Sequence, residues 1–290
     1  MRPCDGGITL SPGNPTRMGS VEASVASFVP GAELLLQDLN SRNPHGPRHG
    51  GRSPGSLPTV VSTTRVIWTM ALALFAAQHT RGHFVETGVY NGGTAIAMMS
   101  VLDQLRSHAR IYACDSFMGL PAPTAGDKKC DRTQAEGLKV VGCSGGRVGS
   151  YAGTKRHFLA NVRKYRVRRR RLHVVKGWFN ETLPPKGLGS ISFLRLDGDL
   201  YASTMDALVA LYPLVPSGGL VYVDDYGTFG GCRAAVDEYR SKHAISERMH
   251  RIREDPMLNE RLFGFNQTDQ RTDVFEAVWW QKEARQSLST

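Results

Sequence analysis

From Thr59 onward, short apolar runs alternate with longer stretches in which apolar residues return every three or four positions. The runs His83–Glu86, Ile111–Cys114, Leu172–Val175, Ile191–Leu196 and Leu220–Val223 are largely unbroken in their hydrophobicity, as strands covered on both sides must be. Between them, Thr94–Arg106, Lys155–Lys164, Thr204–Tyr212 and Arg233–Lys242 carry the helical period. This alternation predicts a parallel, doubly wound α/β sheet with helices on both faces. The chain ends differently. Arg248–Arg253 and Val274–Gln281 read as two strands joined by a polar stretch without a helix, which predicts an antiparallel pair at the sheet edge. The longest apolar stretch, Val66–Ala77, is too short to cross a bilayer and is flanked by Arg65 and His79, so it reads as a buried helix. Residues 1–58 are rich in Gly, Pro, Ser and Asn, with one apolar patch at Ala32–Leu39. They read as a disordered or loosely docked leader with room for one short helix, leaving 59–290 as the folded domain.

The same pattern locates the chemistry, because several strands end in carboxylates. Ile191–Leu194 leads into Arg195-Leu196-Asp197-Gly198-Asp199-Leu200-Tyr201, and Gly219–Val223 leads into Asp224-Asp225-Tyr226-Gly227. Four carboxylates at the carboxyl edge of a parallel sheet stand where active sites open. They repel one another unless a cation or shared protons offset the charge, and an all-oxygen donor set suits a hard cation such as Mg²⁺. The plainer readings are a solvated loop for Asp224-Asp225 and a turn-forming Asp-Gly for Asp197; the joint pattern favours the metal. Further back, the segment from Phe84 to Thr94 runs from a strand through a glycine turn into a helix but lacks G-x-G-x-x-G spacing, which disfavours a dinucleotide. Asp115 ends the second strand, where an acidic side chain holds ribose hydroxyls. Glu86 and Asp115 together describe a nucleoside pocket without a pyrophosphate cradle, which suits S-adenosylmethionine.

Composition narrows the picture in three ways. A chain of 290 residues with 41% hydrophobic content holds one large α/β domain or two small ones. The formal charge of +10 admits nucleic acid, acidic membranes or anionic small molecules. Its densest run, Arg163–Arg171, is interrupted only by Tyr165 and Val167; with no RNA-binding motif and a single aromatic, it reads as a solvated helix end and loop. The five cysteines, Cys4, Cys114, Cys130, Cys143 and Cys232, include no C-x-x-C pair, so no zinc site is signalled and reduced thiols in a cytosol-like compartment are the default. Cys130 and Cys143 share one Gly-rich segment that an oxidising compartment could clip. The N-terminus lacks a secretory pattern, and Asp5, Glu22 and Glu33 argue against a transit peptide, so targeting by the leader stays open beside a cytoplasmic default.

A resemblance adds to these readings. Phe84-Val85-Glu86-Thr87-Gly88-Val89-Tyr90 with Gly92-Gly93, Cys114-Asp115-Ser116-Phe117 with Gly119-Leu120-Pro121, Lys176-Gly177-Trp178-Phe179 with Thr182-Leu183-Pro184, and the stretch Leu194–Arg240 resemble the macrocin O-methyltransferase (TylF-type) family over about residues 62–281. The resemblance implies a class I methyltransferase fold, a Rossmann-like, mostly parallel sheet with an antiparallel edge strand. It implies a Mg²⁺- and S-adenosylmethionine-dependent O-methyltransferase acting on a sugar hydroxyl in natural-product pathways. By matching position, Asp197, Asp224 and Asp225 would be metal ligands and Asp199 the general base; Glu86, Thr87, Gly88, Asn91, Thr94, Asp115 and Ser116 would line the cofactor pocket. Tyr90 and Asn91 depart from the Trp and Arg of many members, and Thr124–Ser150 matches no pattern. The acceptor is then a small molecule with vicinal hydroxyls, with no membrane and no nucleic acid among the partners and a homo-oligomer left open. Two alternatives stand beside it: a catechol or phenolic acceptor on the same metal site, and a methyltransferase-fold protein that binds nucleic acid through Arg163–Arg171. Residues 122–154 are expected to form a flap over the acceptor. Trp178 and Phe179 read as packing, His173 and His243 as structural, and Tyr226 as either acceptor-lining or packed.

Overall fold

The computed structural model describes residues 20–43, 57–128, 147–255, 258, 262 and 275–284. Among these residues seven strands form one sheet: β1 (His83–Thr87), β2 (Ile111–Asp115), β3 (Leu172–Lys176), β4 (Ile191–Leu196), β5 (Leu220–Val223), β6 (His250–Arg253) and β7 (Phe275–Gln281). Their order is β3-β2-β1-β4-β5-β7-β6. The first five are parallel, and β7 runs antiparallel to both β5 and β6. The doubly wound sheet read from the sequence is therefore present. The reversed strand is inserted one place in from the edge, with β6 outside it. No helix among the described residues is long and apolar enough to cross a membrane.

Alternation along each strand sends neighbouring side chains to opposite faces, and two cores result. Phe84, Ile111, Ala113, Phe193, Leu220, Tyr222 and Trp279 join the core under α3 (Thr63–His79), α4 (Gly93–Gln104) and α5 (Lys155–Lys164). Val85, Tyr112, Cys114, Leu194, Leu196, Val221, Val223 and Trp280 join the core under α7 (Tyr201–Leu211) and α8 (Gly230–Lys242). The Val66–Ala77 stretch is indeed a buried helix, α3, capped by Ser62, whose side chain accepts the Arg65 N–H at 3.2 Å. Before it lie two helices, α1 (Val21–Ala26) and α2 (Val29–Ser41). Val25 of α1, Ala32, Leu35, Leu36 and Leu39 of α2, and Phe28 between them belong to the same core cluster as α3, so these four residues of the Ala32–Leu39 patch form the inner face of α2 while Leu34 is exposed.

The basic run behaves as a helix end displayed to solvent. Tyr165 and Val167 are buried and hold the segment down, while Arg163, Lys164, Arg166 and Arg168–Arg170 are exposed. Arg171 and Arg168 pair with Asp103. Cys114 and Cys232 are buried thiols. Cys4, Cys130 and Cys143 lie outside the described residues, as does the middle of the expected flap, residues 129–146.

Candidate active site

The register of the strands builds the site before any loop does. Glu86 of β1 pairs with Arg195 of β4, and Arg195 with Tyr222 of β5, so these three side chains form a row across the α3 face of the sheet. The guanidinium of Arg195 is wholly buried and reaches Glu86 at 3.3 Å, Asp197 at 2.6 Å and Asp224 at 2.7 Å, with Tyr222 beneath it at 5.1 Å. The Tyr222 hydroxyl donates to Asp224 at 2.7 Å. From above, Arg65 of α3 pairs with Asp224, with Glu276 of β7 at 2.7 Å and with Glu254 at 3.4 Å. Two buried cations thus serve a larger set of carboxyl groups, which share the site without a further cation only by holding protons.

Past the strand ends the acidic groups divide. The carboxylate oxygens of Asp197, Asp199 and Asp225 lie within 4.8 Å of one another, the one such group with metal-ligating potential among the described residues. Burial and the charges of Asp197 and Asp224 push Asp199 up to about 8. Burial and the neighbouring aspartates also raise Asp225, and burial with Asp224 raises Asp197 against the pull of Arg195. Asp224 shifts the other way: burial would raise it, but Arg65 and Arg195 outweigh that and hold it below the ordinary carboxylate range. Asp224, implied by the resemblance as a third metal ligand, is therefore turned to two arginines and a tyrosine. Asp199, implied as the base, stands in the cluster itself. Its backbone is left-handed (φ 56°), and its N–H donates to Asp225 at 3.2 Å. Crowded carboxylates with raised proton affinity are what a hard divalent cation would relieve, so the donor set fits Mg²⁺.

The expected cofactor residues meet at the adjoining strand ends. Burial raises Glu86 to about 8, with Arg195 opposing and the Thr94 hydroxyl favouring the charged form. Gly88 is left-handed (φ 84°), and a Cβ there would collide with the carbonyl oxygen of Asp197. The Asp197 N–H donates to the Thr87 carbonyl at 2.9 Å, which ties the glycine turn to the acidic cluster. Asp115 accepts N–H bonds from Val89 at 2.7 Å and Tyr90 at 2.9 Å, and from Phe117 through its other oxygen. These bonds hold Tyr90 and Phe117 in left-handed conformations that L-residues avoid (φ 52° and 55°). They leave Asp115 about one of its four acceptor positions for a hydroxyl group, so the carboxylate both shapes the loop and fits a ribose contact. Ser116 is spent on its own turn, accepting from Met118 at 3.1 Å and donating to Gly119 at 3.2 Å. Asn91 is nearly buried, and its carbonyl accepts from Asn161 at 2.9 Å.

The profile of the macrocin O-methyltransferase (TylF) family matches residues 45–258, well over half of the chain. The chain belongs to that family. It is 35% identical over 188 residues to demethyldecarbamoylnovobiocin O-methyltransferase of Streptomyces niveus, covering 62% of this chain and 66% of that protein. It is 37% identical over 179 residues to the 8-demethyl-8-(2,3-dimethoxy-alpha-L-rhamnosyl)-tetracenomycin-C 4'-O-methyltransferase of Streptomyces olivaceus, covering 59% and 62%. These matches span just under two thirds of each relative's length. The solved O-methyltransferase NovP superposes with a TM-score of 0.65 at 27% identity, over 90% of this chain and 100% of that one. A calicheamicin methyltransferase superposes at 0.54 and 15% identity, over 93% and 99%, which attests the fold alone.

Within this macrocin O-methyltransferase fold, two residues that sequence reasoning passed over are central. Arg195 was visible inside the acidic motif, and an arginine within a strand that is otherwise buried was the available signal. Arg65 was visible only as the polar flank of an apolar helix. Asp127 is a third: nearly buried, it accepts the Tyr201 N–H at 2.7 Å and so caps the start of α7 just beyond Asp199. Other expectations resolve simply. His173 stacks on Tyr112 and His243 packs against Tyr239. Phe179, which opens the short α6 (Phe179–Thr182), packs on the second core, and Tyr226 is nearly buried with its hydroxyl donated to Asp237.

Proposed function

We propose that this chain transfers a methyl group from S-adenosylmethionine to a hydroxyl of a glycosylated natural product, at a site that holds Mg²⁺. The observation that carries this reading is the junction between the glycine turn and the acidic cluster, where the Asp197 N–H meets the Thr87 carbonyl at 2.9 Å. A donor pocket and a hydroxyl-activating group are useful only when adjacent, because methyl transfer is an in-line displacement that gains most from fixed orientation. The relatives supply the acceptor class, one of them being named for the 4'-oxygen of a rhamnosyl-bearing tetracenomycin.

In this reading Glu86, Gly88 and Asp115 hold the cofactor, whose sulfonium supplies an electrophilic methyl group. Asp197 and Asp225 would hold the metal, which would supply Lewis-acid activation and orientation of the acceptor hydroxyl. Asp224 is assigned to the ion-pair network behind them, where Arg65 and Arg195 fix its position and through it the turn that carries Asp225. Asp199 accepts the proton of the attacking hydroxyl at its carboxylate oxygen; burial and the charges of Asp197 and Asp224 raise its proton affinity, and a cation held beside it would draw that affinity down and free the carboxylate for this role.

The test is label transfer from S-adenosylmethionine to a panel of glycosides and catechols, with Mg²⁺ and with EDTA, for the wild type and Asp199→Asn. Transfer to glycosides that stops on chelation is expected. Transfer that ignores EDTA overturns the metal assignment, and transfer confined to catechols overturns the acceptor class.

A further inference from the structure

The helices α7 and α8 start directly behind the acidic cluster, and neither caps itself. Asp199 stands two residues before Tyr201, the first residue of α7, and the Asp225 carbonyl accepts from Thr228 at 3.0 Å and from Phe229 at 2.9 Å, at the threshold of α8. At both starts the capping position is held by an apolar residue, Leu200 or Phe229, that makes no side-chain capping bond, and neither first turn contains an acid. The first N–H groups of a helix lack partners within it and favour a negative charge nearby.

That charge comes from another part of the chain. The loop after β2 ends in the short helical turn Ala125–Lys128, which places Asp127, only 2% exposed, against both helix starts. One carboxylate oxygen of Asp127 accepts the Tyr201 N–H at 2.7 Å. The same oxygen occupies the space beside Gly231, the second residue of α8, where a Cβ would collide with it. The other oxygen accepts from the Thr124 N–H at 2.6 Å and from the Thr124 hydroxyl at 3.0 Å, which fixes the carboxylate to its own turn. Tyr201 completes the joint. Its ring lies so close to Gly126 that a side chain there would not fit, and its hydroxyl donates to Glu238 of α8 at 2.7 Å.

We infer that Asp127 is a positioning residue that sets the separation of Asp199 and Asp225, an inference that rests on the metal site of the proposed function. Asp199 leads into α7 and Asp225 into α8, and the Asp199 N–H donates to Asp225 at 3.2 Å, so fixing the two helix starts fixes the two turns that carry these carboxylates. Asp127 also keeps Asp199 out of the capping role. Without it, the carboxylate nearest in the chain to the Tyr201 N–H is Asp199, and an aspartate turned to cap a helix is lost to the cluster. Asp127 itself need touch neither cation nor substrate.

Calorimetric titration of the full chain with S-adenosylhomocysteine, and then with MgCl₂ at saturating S-adenosylhomocysteine, tests this. Asp127→Ala should weaken Mg²⁺ about tenfold and leave S-adenosylhomocysteine within about twofold. Asp127→Asn keeps one oxygen for the Tyr201 N–H and should recover most of that loss, although it lacks the charge. Gly231→Ala keeps the charge but pushes α8 off the carboxylate, and should weaken Mg²⁺ about as much as Asp127→Ala. These two variants separate geometry from charge, and carry the test if Asp127→Ala does not fold. Leu35→Ala, in the core under α3, controls for lost stability and should bind Mg²⁺ as the wild type does. Three results overturn the inference and leave the metal site standing: Mg²⁺ affinity that is unchanged in Asp127→Ala, an asparagine variant as weak as the alanine one beside an unaffected Gly231→Ala, or equal losses for both ligands or in Leu35→Ala. A wild-type chain that takes up no Mg²⁺ overturns the metal site and this inference together.

Discussion

The buried arginines matter most at the scale of single residues. Arg195 compensates Glu86, Asp197 and Asp224 where water cannot. Arg195→Met removes one partner and leaves three carboxylates crowded, so it should cost about 3–5 kcal/mol, read as a lowered urea midpoint in equilibrium unfolding. A loss under 1 kcal/mol would mean that the network is not fully desolvated. Asp199 makes the opposite case, because no cation among the described residues pairs with it. Asp199→Asn should lower kcat roughly 100-fold or more, with Mg²⁺ and S-adenosylmethionine affinities, measured by calorimetry, unchanged. Loss of Mg²⁺ affinity in that variant would instead make Asp199 a ligand. The aspartates were legible in the sequence because each follows directly on its own apolar run. Their partners were not. Arg65 and Asp224 are 159 positions apart, and Arg195 meets Glu86 only through strand register.

At the scale of elements, two packing arrangements govern the site. The β1–α4 turn can approach the end of β4 only because Gly88 has no side chain and accepts a left-handed backbone. Gly88→Ala must therefore push the turn away from Asp197. We expect at least a tenfold loss of S-adenosylhomocysteine affinity by calorimetry, and wild-type affinity would show that the turn tolerates the displacement. The helices α1 and α2 are the second arrangement. Gly and Pro on both sides made this region read as a leader, since local composition reports the absence of continuous pattern and not the presence of a docking surface. Yet Leu35 and Leu39 are almost wholly buried. Leu35→Ala and Leu39→Ala should each cost about 2–5 kcal/mol by chemical denaturation. A cost below about 0.5 kcal/mol, as at a surface position, would show the helices to be only loosely attached.

For the whole molecule, the surplus of buried carboxylates couples stability to pH and to metal. Glu86 and Asp199 have ordinary values of 4.5 and 3.8 and are each raised to about 8 in the fold. A group raised by folding contributes stability that is complete below its unfolded value and is lost as pH climbs through its folded value. Without divalent cation, Tm should therefore fall between about pH 5 and about pH 8 and then level. Asp224, being depressed, acts with the opposite sign but only in acid, below this window. Mg²⁺ should raise Tm more at pH 8 than at pH 5, because it replaces protons that are already leaving. Differential scanning fluorimetry across this range, with EDTA and with MgCl₂, checks both slopes; a flat EDTA profile would contradict the charge surplus.

The sequence by itself determined the alternation of strand and helix, the doubly wound class, the antiparallel close and the acidic strand ends. Each of these is local: periodicity over a few residues, or a polar residue directly after an apolar run. Tertiary structure alone decided how the carboxylates divide. Asp199 and Asp225 are left to one another, with Asp197 shared between them and Arg195, because the register of β1, β4 and β5 and the seating of α3 bring Arg195 and Arg65 to Asp224. A carboxylate's charge state depends on what lies within a few ångströms in space, and neighbours in space need not be neighbours in the chain.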